Sequence, residues 1–334
     1  MKYTIATLAS HSCLQILKGA KDEGFSTLAI ATPKKNSFYQ RFSFIDEVLT
    51  IPTYQDLYNI QNNLKKRNVI IIPHGSFVAY LGNDYDNKLK LLHYGNKKVL
   101  SWEGDRLKQR EWLEKAGIRL PKLYKNPEDI DRLVIVKFYG ALGGSGYFVA
   151  KNKNDFAKKI EKINIKEFII QEYIIGIPIY LQFFYSPLSK QVELLGVDRR
   201  YETNVDGLGR LPHKFQEDLD LEPSYTVAGN FPIVIRESLL PEAYNMAESV
   251  IKTSQKIIPP RGLYGPFCIE TIVTNDLEFY VMEISCRIVA GTNLFSQGST
   301  YSDYHFDKPM STGRRIAREI KEALEIGGLA EILN

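Results

Sequence analysis

The first hundred residues alternate between short apolar runs and segments in which apolar residues recur at helical spacing. The apolar runs have the length and composition of buried strands, and they cover residues 4–9, 27–31, 48–51 and 69–73. Helical spacing covers residues 13–23, which are followed by the helix-stopping Gly24, and residues 54–66. Strands that alternate with helices predict a small parallel α/β unit over roughly residues 1–100.

After residue 100 the apolar runs follow one another with turns between them, as in antiparallel sheets. We expect strands at residues 133–138, 147–150, 168–174, 179–185 and 192–198, and helices at residues 105–116, 156–162, 241–257 and 311–327. This order predicts an α+β region after the α/β unit. The last two helices each have one apolar face and are interpreted as scaffold.

A hairpin with two glutamates is the feature that carries most chemistry. Its strands are expected at residues 267–274 and 279–284, and symmetric closure of the turn between them places positions that sum to 553 opposite each other. Glu270 then faces Glu283, with Cβ atoms roughly 5 Å apart. Two unpartnered carboxylates this close repel, so we favour a Mg²⁺ or Mn²⁺ ion between them over a solvated strand face. Arg287 has the side-chain parity of Glu283 and is a candidate to stabilise charge on a transferred phosphoryl group.

Polar residues follow the first and the last predicted strand of the α/β unit. They are the tripeptides at residues 10–12 and 74–76, which contain His11 and Ser76. Because ligands bind at the carboxyl ends of parallel strands, backbone amides and hydroxyls here are candidates for an anion pocket. Each tripeptide alone is equally compatible with helix capping, and only the pair suggests a substrate site.

Lys137 lies in an apolar strand, directly before a segment, residues 139–147, that contains four glycines. Glycines such as Gly143 and Gly144 let backbone amides approach a phosphate closely, although the spacing is neither that of a Walker A loop nor that of a dinucleotide-binding loop. The segment is interpreted as a hairpin lid over a nucleotide, with a mobile surface turn as the alternative. A buried lysine needs an anionic partner, which favours the lid.

Two further segments are candidates for nucleotide and substrate contacts. The apolar strand at residues 168–174 is suited to receive adenine at its edge. Residues 198–202 are expected to be a charged loop in which Arg199, Arg200 and Glu202 contact phosphate, ribose or metal, or in which salt bridges simply pair the charges. Asn230 is expected in a loop that glycine and proline interrupt.

Composition limits the function more weakly. The 43 basic and 39 acidic residues are too balanced to predict nucleic-acid binding. No stretch of about 20 apolar residues and no signal-peptide pattern is present, so neither a membrane nor a secreted location is expected. The three cysteines, Cys13, Cys268 and Cys286, lack close metal-ligand spacing and are interpreted as reduced residues of a cytoplasmic protein.

The order of these features resembles the ATP-grasp superfamily, in which two α+β lobes clamp ATP and a carboxylate becomes an acyl phosphate that an amine attacks. More specific segments are IATLASHSCLQILKGAKDEGFST, PHGSF, LLGVDRRYETNVDGL, GNFPIVIRESLLP and GPFC through EISCRIVAGTN. They resemble the archaeal formate-dependent formylaminoimidazole carboxamide ribotide (FAICAR) synthetases of purine biosynthesis, the PurP family. The resemblance implies an ATP-grasp fold, with lobes at residues 101–175 and 176–334, preceded by a small Rossmann-like parallel α/β domain at residues 1–100.

The resemblance also implies roles for individual residues. ATP, formate and aminoimidazole carboxamide ribotide (AICAR) would be the substrates, and formyl phosphate the intermediate. AICAR would be contacted by His11, Ser76 and Asn230. ATP would be contacted by Lys137, Gly143, Gly144, Gln171, Glu172, Tyr173, Ile174, Arg199 and Glu202. Glu270 and Glu283 would bind Mg²⁺ or Mn²⁺, and the catalytic residues would be Lys137 and Arg287.

Alternatives remain open at this point. A related ligase could join another carboxylate to another amine, and a nucleotide-binding regulator could use the same fold without catalysis. A folate-dependent transformylase is disfavoured because nothing outside the ATP-grasp region offers a pterin site. A homo-oligomer without nucleic-acid or membrane partners is expected.

Overall fold

The structure is a computed structural model of the chain, and it describes residues 3–138, 147–161, 163, 167–217, 219 and 226–334. Strands within these ranges form three sheets, which we call the N-terminal sheet, the Lys137 sheet and the carboxylate sheet. None of the helices in the described ranges has the length together with the apolar character that crossing a bilayer requires.

The N-terminal sheet is parallel and has the order β3-β2-β1-β4-β5. Its strands are β1 (Thr4–Leu8), β2 (Ser26–Ala31), β3 (Glu47–Thr50), β4 (Val69–Ile71) and β5 (Leu92–His93). The helices of this region are α1 (Cys13–Asp22), α2 (Pro33–Tyr39), α3 (Leu57–Lys66), α4 (Phe77–Leu81), α5 (Tyr85–Lys88) and α6 (Lys97–Glu103), with a 3₁₀ turn at Tyr54–Asp56. The predicted parallel α/β arrangement is confirmed.

The Lys137 sheet is antiparallel, has the order β6-β9-β7-β8, and is preceded by α7 (Arg106–Lys115). Its strands are β6 (Leu123–Tyr124), β7 (Val134–Phe138), β8 (Tyr147–Ala150) and β9 (Phe168–Glu172), with α8 (Lys153–Ile160) and a 3₁₀ turn at Pro127–Asp129. Val136, Phe156 and Ile170 belong to a hydrophobic core that this sheet does not share with the other two. The glycines Gly143 and Gly144 lie outside the described residues.

The carboxylate sheet is antiparallel and has the order β12-β11-β10-β13-β14. Its strands are β10 (Ile177–Tyr185), β11 (Val192–Glu202), β12 (Val227–Pro232), β13 (Gly265–Val273) and β14 (Phe279–Ser285). The remaining helices are α9 (Thr203–Leu208), α10 (His213–Glu217), α11 (Leu240–Ile257), α12 (Thr300–Asp303), α13 (Thr312–Glu325) and α14 (Leu329–Ile332), with 3₁₀ turns at Glu237–Leu239 and Ala290–Phe295.

Two segments that were expected to be loops are strands. Residues 198–202 continue β11, and Asn230 lies in β12 directly opposite Arg200. The many charged residues in this part of β11 are typical of a solvent-exposed loop, which is why a loop was expected. In the structure Arg200 is instead paired with Glu270. Charged residues are compatible with a half-buried strand when they neutralise one another across a sheet.

The two ends of the chain pack together. The last long helix, α13, lies against α1 so closely that a Cβ atom on Gly19 would approach the Arg314 nitrogen to 2.2 Å. An isolated parallel bridge between His74 and Ile288 joins the segment after β4 to the segment after β14. The carboxyl end of the N-terminal sheet is therefore fixed next to the end of the glutamate hairpin. The domain boundaries given above stay a prediction.

Candidate active site

The glutamate hairpin has the predicted pairing at its centre but not throughout. Glu270 lies opposite Glu283. From this pair to the open end of the hairpin, the numbers of paired residues sum to 553, as predicted. Near the turn, however, Thr271 pairs with Val281, and partners sum to 552. The turn is one residue shorter than expected, because Leu277 adopts a left-handed conformation (φ 62°), and a β-bulge at Met282 adds the residue back.

Glu270 is neutralised by protein groups. The Arg200 guanidinium lies 2.8 Å from its carboxylate, and the Ser285 hydroxyl donates a hydrogen bond to it at 3.0 Å. Arg200 also lies over the Tyr180 ring, 3.7 Å from the ring centre. The sequence indicated Arg200 as one of two arginines in a charged loop, without a protein partner. Its alternation with Asp198 and Glu202 along one strand face was the signal that could have placed it in a strand.

Glu283 has a different environment, although it lies on the same hairpin. Solvent reaches its carboxylate through a cavity. Nevertheless, desolvation by the surrounding protein, together with the charges of Glu270 and Glu103, raises the pKa of Glu283 to about 7. A cation beside Glu283 would remove this penalty.

These carboxylates fit a cation that is shared with a substrate. In the described part of the chain, no group of three or more His, Cys, Asp or Glu side chains is arranged to hold a metal ion by itself. Mg²⁺ is often bound by one or two carboxylates plus phosphate oxygens and water. Glu270 and Glu283 supply two carboxylates of this kind, so the remaining ligands would come from a bound nucleotide.

Arg287 is held by a residue that the sequence did not point to. Its guanidinium lies 2.9 Å from the carboxylate of Glu103, at the end of α6, and both side chains are largely buried. The same carboxylate accepts a hydrogen bond from the Cys286 backbone N–H at 2.7 Å. Burial raises the pKa of Glu103, an effect that the neighbouring Arg287 charge opposes.

His11 and Ser76 are brought together as predicted. The His11 ring stacks on His74 with centroids 5.6 Å apart, and a Cβ atom on Gly75 would lie 2.4 Å from His11 Nε2. The Ser76 backbone N–H donates to His74 Nδ1, so His74 Nε2 carries the proton and donates to the Leu8 carbonyl. Burial, reinforced by Arg287 and Arg200, lowers the pKa of His11 to about 4.

Asn230 lies in β12, opposite Arg200 of β11. Its side-chain amide nitrogen donates to a carboxylate oxygen of Asp198 at 2.7 Å, and Gln182 donates to the other oxygen. Asp198 is almost fully buried, and burial raises its pKa. The two amide donors compensate the desolvation of Asp198 and fix which end of the Asn230 amide faces away from it.

A cavity of about 720 Å³ connects the Lys137 sheet with the carboxylate sheet. Its lining contains the predicted ATP and metal residues that the structure describes, namely Lys137, Gln171, Glu172, Tyr173, Ile174, Arg199, Glu202, Glu270 and Glu283, together with Glu103, Arg106 and Arg200. Lys137 donates to the Gln171 side chain at 3.2 Å, and burial lowers its pKa. The Glu172 carboxylate accepts hydrogen bonds from Arg132 at 2.9 Å and from the Lys122 backbone N–H at 3.0 Å.

Two family models match the chain. One is described as a domain of unknown function, DUF1297, at residues 148–334, and the other as a protein of unknown function, DUF1246, at residues 5–124. Curated relatives are more informative, because the match covers whole proteins. A "5-formaminoimidazole-4-carboxamide-1-(beta)-D-ribofuranosyl 5'-monophosphate synthetase" from Pyrococcus horikoshii is 50% identical, with 98% of this chain and 99% of the relative covered. A relative of the same name from Saccharolobus solfataricus is 47% identical, with 99% of each chain covered.

The chain belongs to the FAICAR synthetase family. Solved structures agree with this assignment. The IMP biosynthesis protein PurP from Thermococcus kodakaraensis has a TM-score of 0.80 and 33% identity, with 99% of this chain and 100% of that chain covered. An N5-carboxyaminoimidazole synthetase from Staphylococcus aureus, crystallised with ADP, has a TM-score of 0.63 at 16% identity, with 87% and 73% covered, which shows the fold alone. The predicted ATP-grasp fold and ligase class of the FAICAR synthetase family are thereby confirmed.

Proposed function

We propose that the protein joins formate to the 5-amino group of AICAR at the expense of ATP, giving FAICAR, ADP and phosphate without a folate donor. One observation carries the proposal at the level of the site. Arg200 lines the cavity together with Lys137, Glu270 and Glu283, and besides burial the charges of Arg287 and Arg200 lower the pKa of His11 in the N-terminal pocket. A nucleotide site and an anion pocket thus lie side by side, as transfer between two bound substrates requires.

ATP would occupy the 720 Å³ cavity, which has the size of a nucleotide pocket. Its adenine would lie along the end of β9, at Gln171 to Ile174, and Lys137 would contact its phosphates. Glu270 and Glu283 would hold Mg²⁺ or Mn²⁺, which neutralises charge on the transferring phosphoryl group. Arg199 and Glu202 line the same cavity and remain proposed ATP contacts.

Formate would be activated before it meets the amine. A formate oxygen attacks the γ-phosphorus, the bond to the ADP oxygen breaks, and formyl phosphate results. Positive charge to stabilise the transferring phosphoryl group would come from Arg287, which follows β14, and from Arg200, which lies in β11. No side-chain nucleophile is needed, and exclusion of water protects the acyl phosphate from hydrolysis.

The amine then attacks the formyl carbon, phosphate leaves, and the nitrogen loses a proton. His11 is a candidate to shuttle this proton, because its ring is neutral at pH 7, although the lowered pKa makes it a weak base. His74 is less suited, since one ring nitrogen accepts from the Ser76 amide and the other faces the Leu8 carbonyl. Asn230, oriented by Asp198, would contact the base or its carboxamide.

The test is ADP release by the purified protein with ATP and Mg²⁺, with formate and AICAR added separately and together. The proposal expects rapid ADP release only with both, and a formylated ribotide in equal amount. Turnover with another carboxylate in place of formate would retain the ligase class and overturn the substrate. We also place the protein in the cytoplasm and expect a homo-oligomer, which light scattering during gel filtration measures.

A further inference from the structure

A lysine at the carboxyl end of the N-terminal sheet has no role in the reaction described so far. The Lys35 ammonium, on α2, lies 5.4 Å from the centre of the Tyr54 ring and 5.6 Å from that of the Tyr80 ring. The two rings stack on each other with centroids 4.4 Å apart. The ammonium also donates to the Ala9 carbonyl at 3.2 Å. These contacts fix the position of a half-buried cation over an aromatic surface.

Hydroxyl groups from two neighbouring strands surround this cation. The Tyr80 hydroxyl lies 2.9 Å from that of Ser10, which follows β1. Burial raises the pKa of Tyr80, but Ser10, Lys35 and Ser76, which follows β4, lie near its hydroxyl and together lower that pKa. Because β1 and β4 are adjacent and parallel, both serines lie at the same carboxyl end of the sheet. We call Ser10, Lys35, Tyr54, Ser76 and Tyr80 the Lys35 cluster.

The charge of this cluster is not compensated by the protein. Within the described ranges, the contacts of the Lys35 ammonium are a carbonyl oxygen and two aromatic rings, and none is a carboxylate. Other lysines of the N-terminal region, such as Lys18 and Lys21, are paired with Asp22 and Asp46. A partly desolvated ammonium among hydroxyl donors favours an anion with several acceptor oxygens, and a phosphate monoester is such an anion.

We propose that the Lys35 cluster binds the 5′-phosphate of the ribotide, and that Lys35 is the residue that distinguishes the ribotide from the unphosphorylated riboside. The proposal rests on the proposed function, since it takes AICAR as the substrate of this pocket. Lys35 is a specificity-determining residue here and does not touch the reacting atoms.

The position of the cluster also gives the direction in which the ribotide lies. Ser76 belongs both to the cluster and to the His11 pocket, and His11 stacks on His74, whose backbone forms a bridge with Ile288 next to Arg287. A ribotide with its phosphate at Lys35 therefore extends past His11 towards Arg287. Its imidazole amine is then directed to the side on which formyl phosphate would form.

The test compares Lys35→Met with wild type, and uses Lys34→Met as a matched control, because Lys34 is the preceding residue of α2 and is exposed. Initial rates are measured against AICAR at saturating ATP and formate, and equilibrium binding is measured for AICAR and for AICA riboside, which lacks the phosphate. Loss of a charge-assisted contact should raise the KM for AICAR roughly 10- to 100-fold. The kcat, the KM for ATP and the binding of the riboside should stay within about twofold, and Lys35→Arg should recover most of the affinity.

Equal weakening of ribotide and riboside by Lys35→Met would overturn the proposal, because Lys35 would then shape the pocket without contacting the phosphate. A loss of the same size in Lys34→Met would overturn it too, since helix charge in general would be responsible. Absence of turnover by the wild-type protein with ATP, formate and AICAR is a different result. It would refute the proposed function, whereas tight phosphate-dependent binding of AICAR would still support the site.

Discussion

The carboxylate of Glu103 lies 2.9 Å from the guanidinium of Arg287, although 183 residues separate Glu103 from the Cys286 amide that it also binds. One side chain of α6 thereby fixes both the backbone after β14 and the arginine proposed to stabilise formyl phosphate. The pair is largely buried, so solvent does not screen it as it would an exposed salt bridge.

We therefore expect Glu103→Gln to lower kcat roughly 10- to 100-fold, because a displaced guanidinium stabilises the transition state less well. The KM for ATP should change little, since the proposed adenine contacts lie on the Lys137 sheet. Steady-state kinetics check this, with Glu111→Gln on α7 as control, because Glu111 is half exposed and pairs with Lys115 on the surface at 2.6 Å. Wild-type kcat in Glu103→Gln would show that Arg287 needs no such support.

Glu283→Gln should abolish turnover and leave the fold intact. The folded-state pKa of Glu283 is raised, so ionisation of this carboxyl costs stability as pH rises through about 7 in the absence of a cation. An amide has no such cost, and thermal unfolding of metal-free Glu283→Gln at pH 8 should occur at or above the wild-type temperature. Glu278→Gln, at the exposed end of the same hairpin, is the control and should behave as wild type.

A chelator experiment complements this variant. Removal of divalent ions should stop ADP release, and Mg²⁺ or Mn²⁺ should restore it in the wild-type protein only. Persistent wild-type turnover in excess chelator, or metal-restored turnover in Glu283→Gln, would contradict the role of the two hairpin carboxylates.

Asp198→Asn should raise the KM for AICAR, with the KM for ATP nearly unchanged. Asp198 accepts hydrogen bonds from Asn230 and Gln182, and an amide in its place lets the Asn230 amide rotate. We expect an increase of roughly 5- to 30-fold, which corresponds to about 1–2 kcal/mol for one weakened polar contact. Substrate-saturation curves measure it, and equal effects on both substrates would contradict the role of Asp198 in orienting Asn230.

The ion pairs of Glu23 should make the free energy of unfolding depend on pH. Its side chain is almost fully buried and accepts from Arg314 at 2.6 Å and from Arg318 at 2.8 Å, which joins α1 to α13. Burial alone would raise the pKa of Glu23, but the hydrogen bonds from Arg318 and Arg314 hold it below its usual value. This contribution to stability is therefore fully present above the unfolded-state pKa of about 4.3 and is lost as pH falls through the lower folded-state pKa.

Glu23→Gln should consequently reduce the free energy of unfolding by roughly 2–4 kcal/mol at pH 7 and by much less near pH 3. Urea unfolding at the two pH values measures the difference. Asp22→Asn is the matched control, because Asp22 pairs with Lys18 on the exposed surface and should matter by less than about 1 kcal/mol. A loss that is the same at both pH values would show that packing, not charge, is responsible.

The sequence predicted the parts of the site that local patterns determine. Opposition of Glu270 and Glu283 follows from strand length and turn position, and it was right although the turn was shorter, because the bulge at Met282 compensated for the difference. His11 and Ser76 could be placed together because the carboxyl ends of parallel strands lie at one edge.

Residues that depend on distant contacts were not predictable in this way. Glu103 looks like any acidic residue at the end of a helix until the fold brings Arg287 to it. Lys35 lies in a helix that the apolar spacing did not indicate, and Arg200 lies in a strand whose charges resembled those of a loop. In each case the partner is far away in sequence, so no periodicity within the segment reports it.

The separate core of the Lys137 sheet has a consequence for the order in which substrates bind. Residues of the N-terminal and carboxylate sheets share their hydrophobic cores, whereas those of the Lys137 sheet pack among themselves. We therefore expect the proposed AICAR pocket at His11 to be formed without nucleotide, and the proposed ATP cavity to depend on the position of the Lys137 sheet. On the proposed function, AICAR should then bind the nucleotide-free protein, which equilibrium binding without ATP measures.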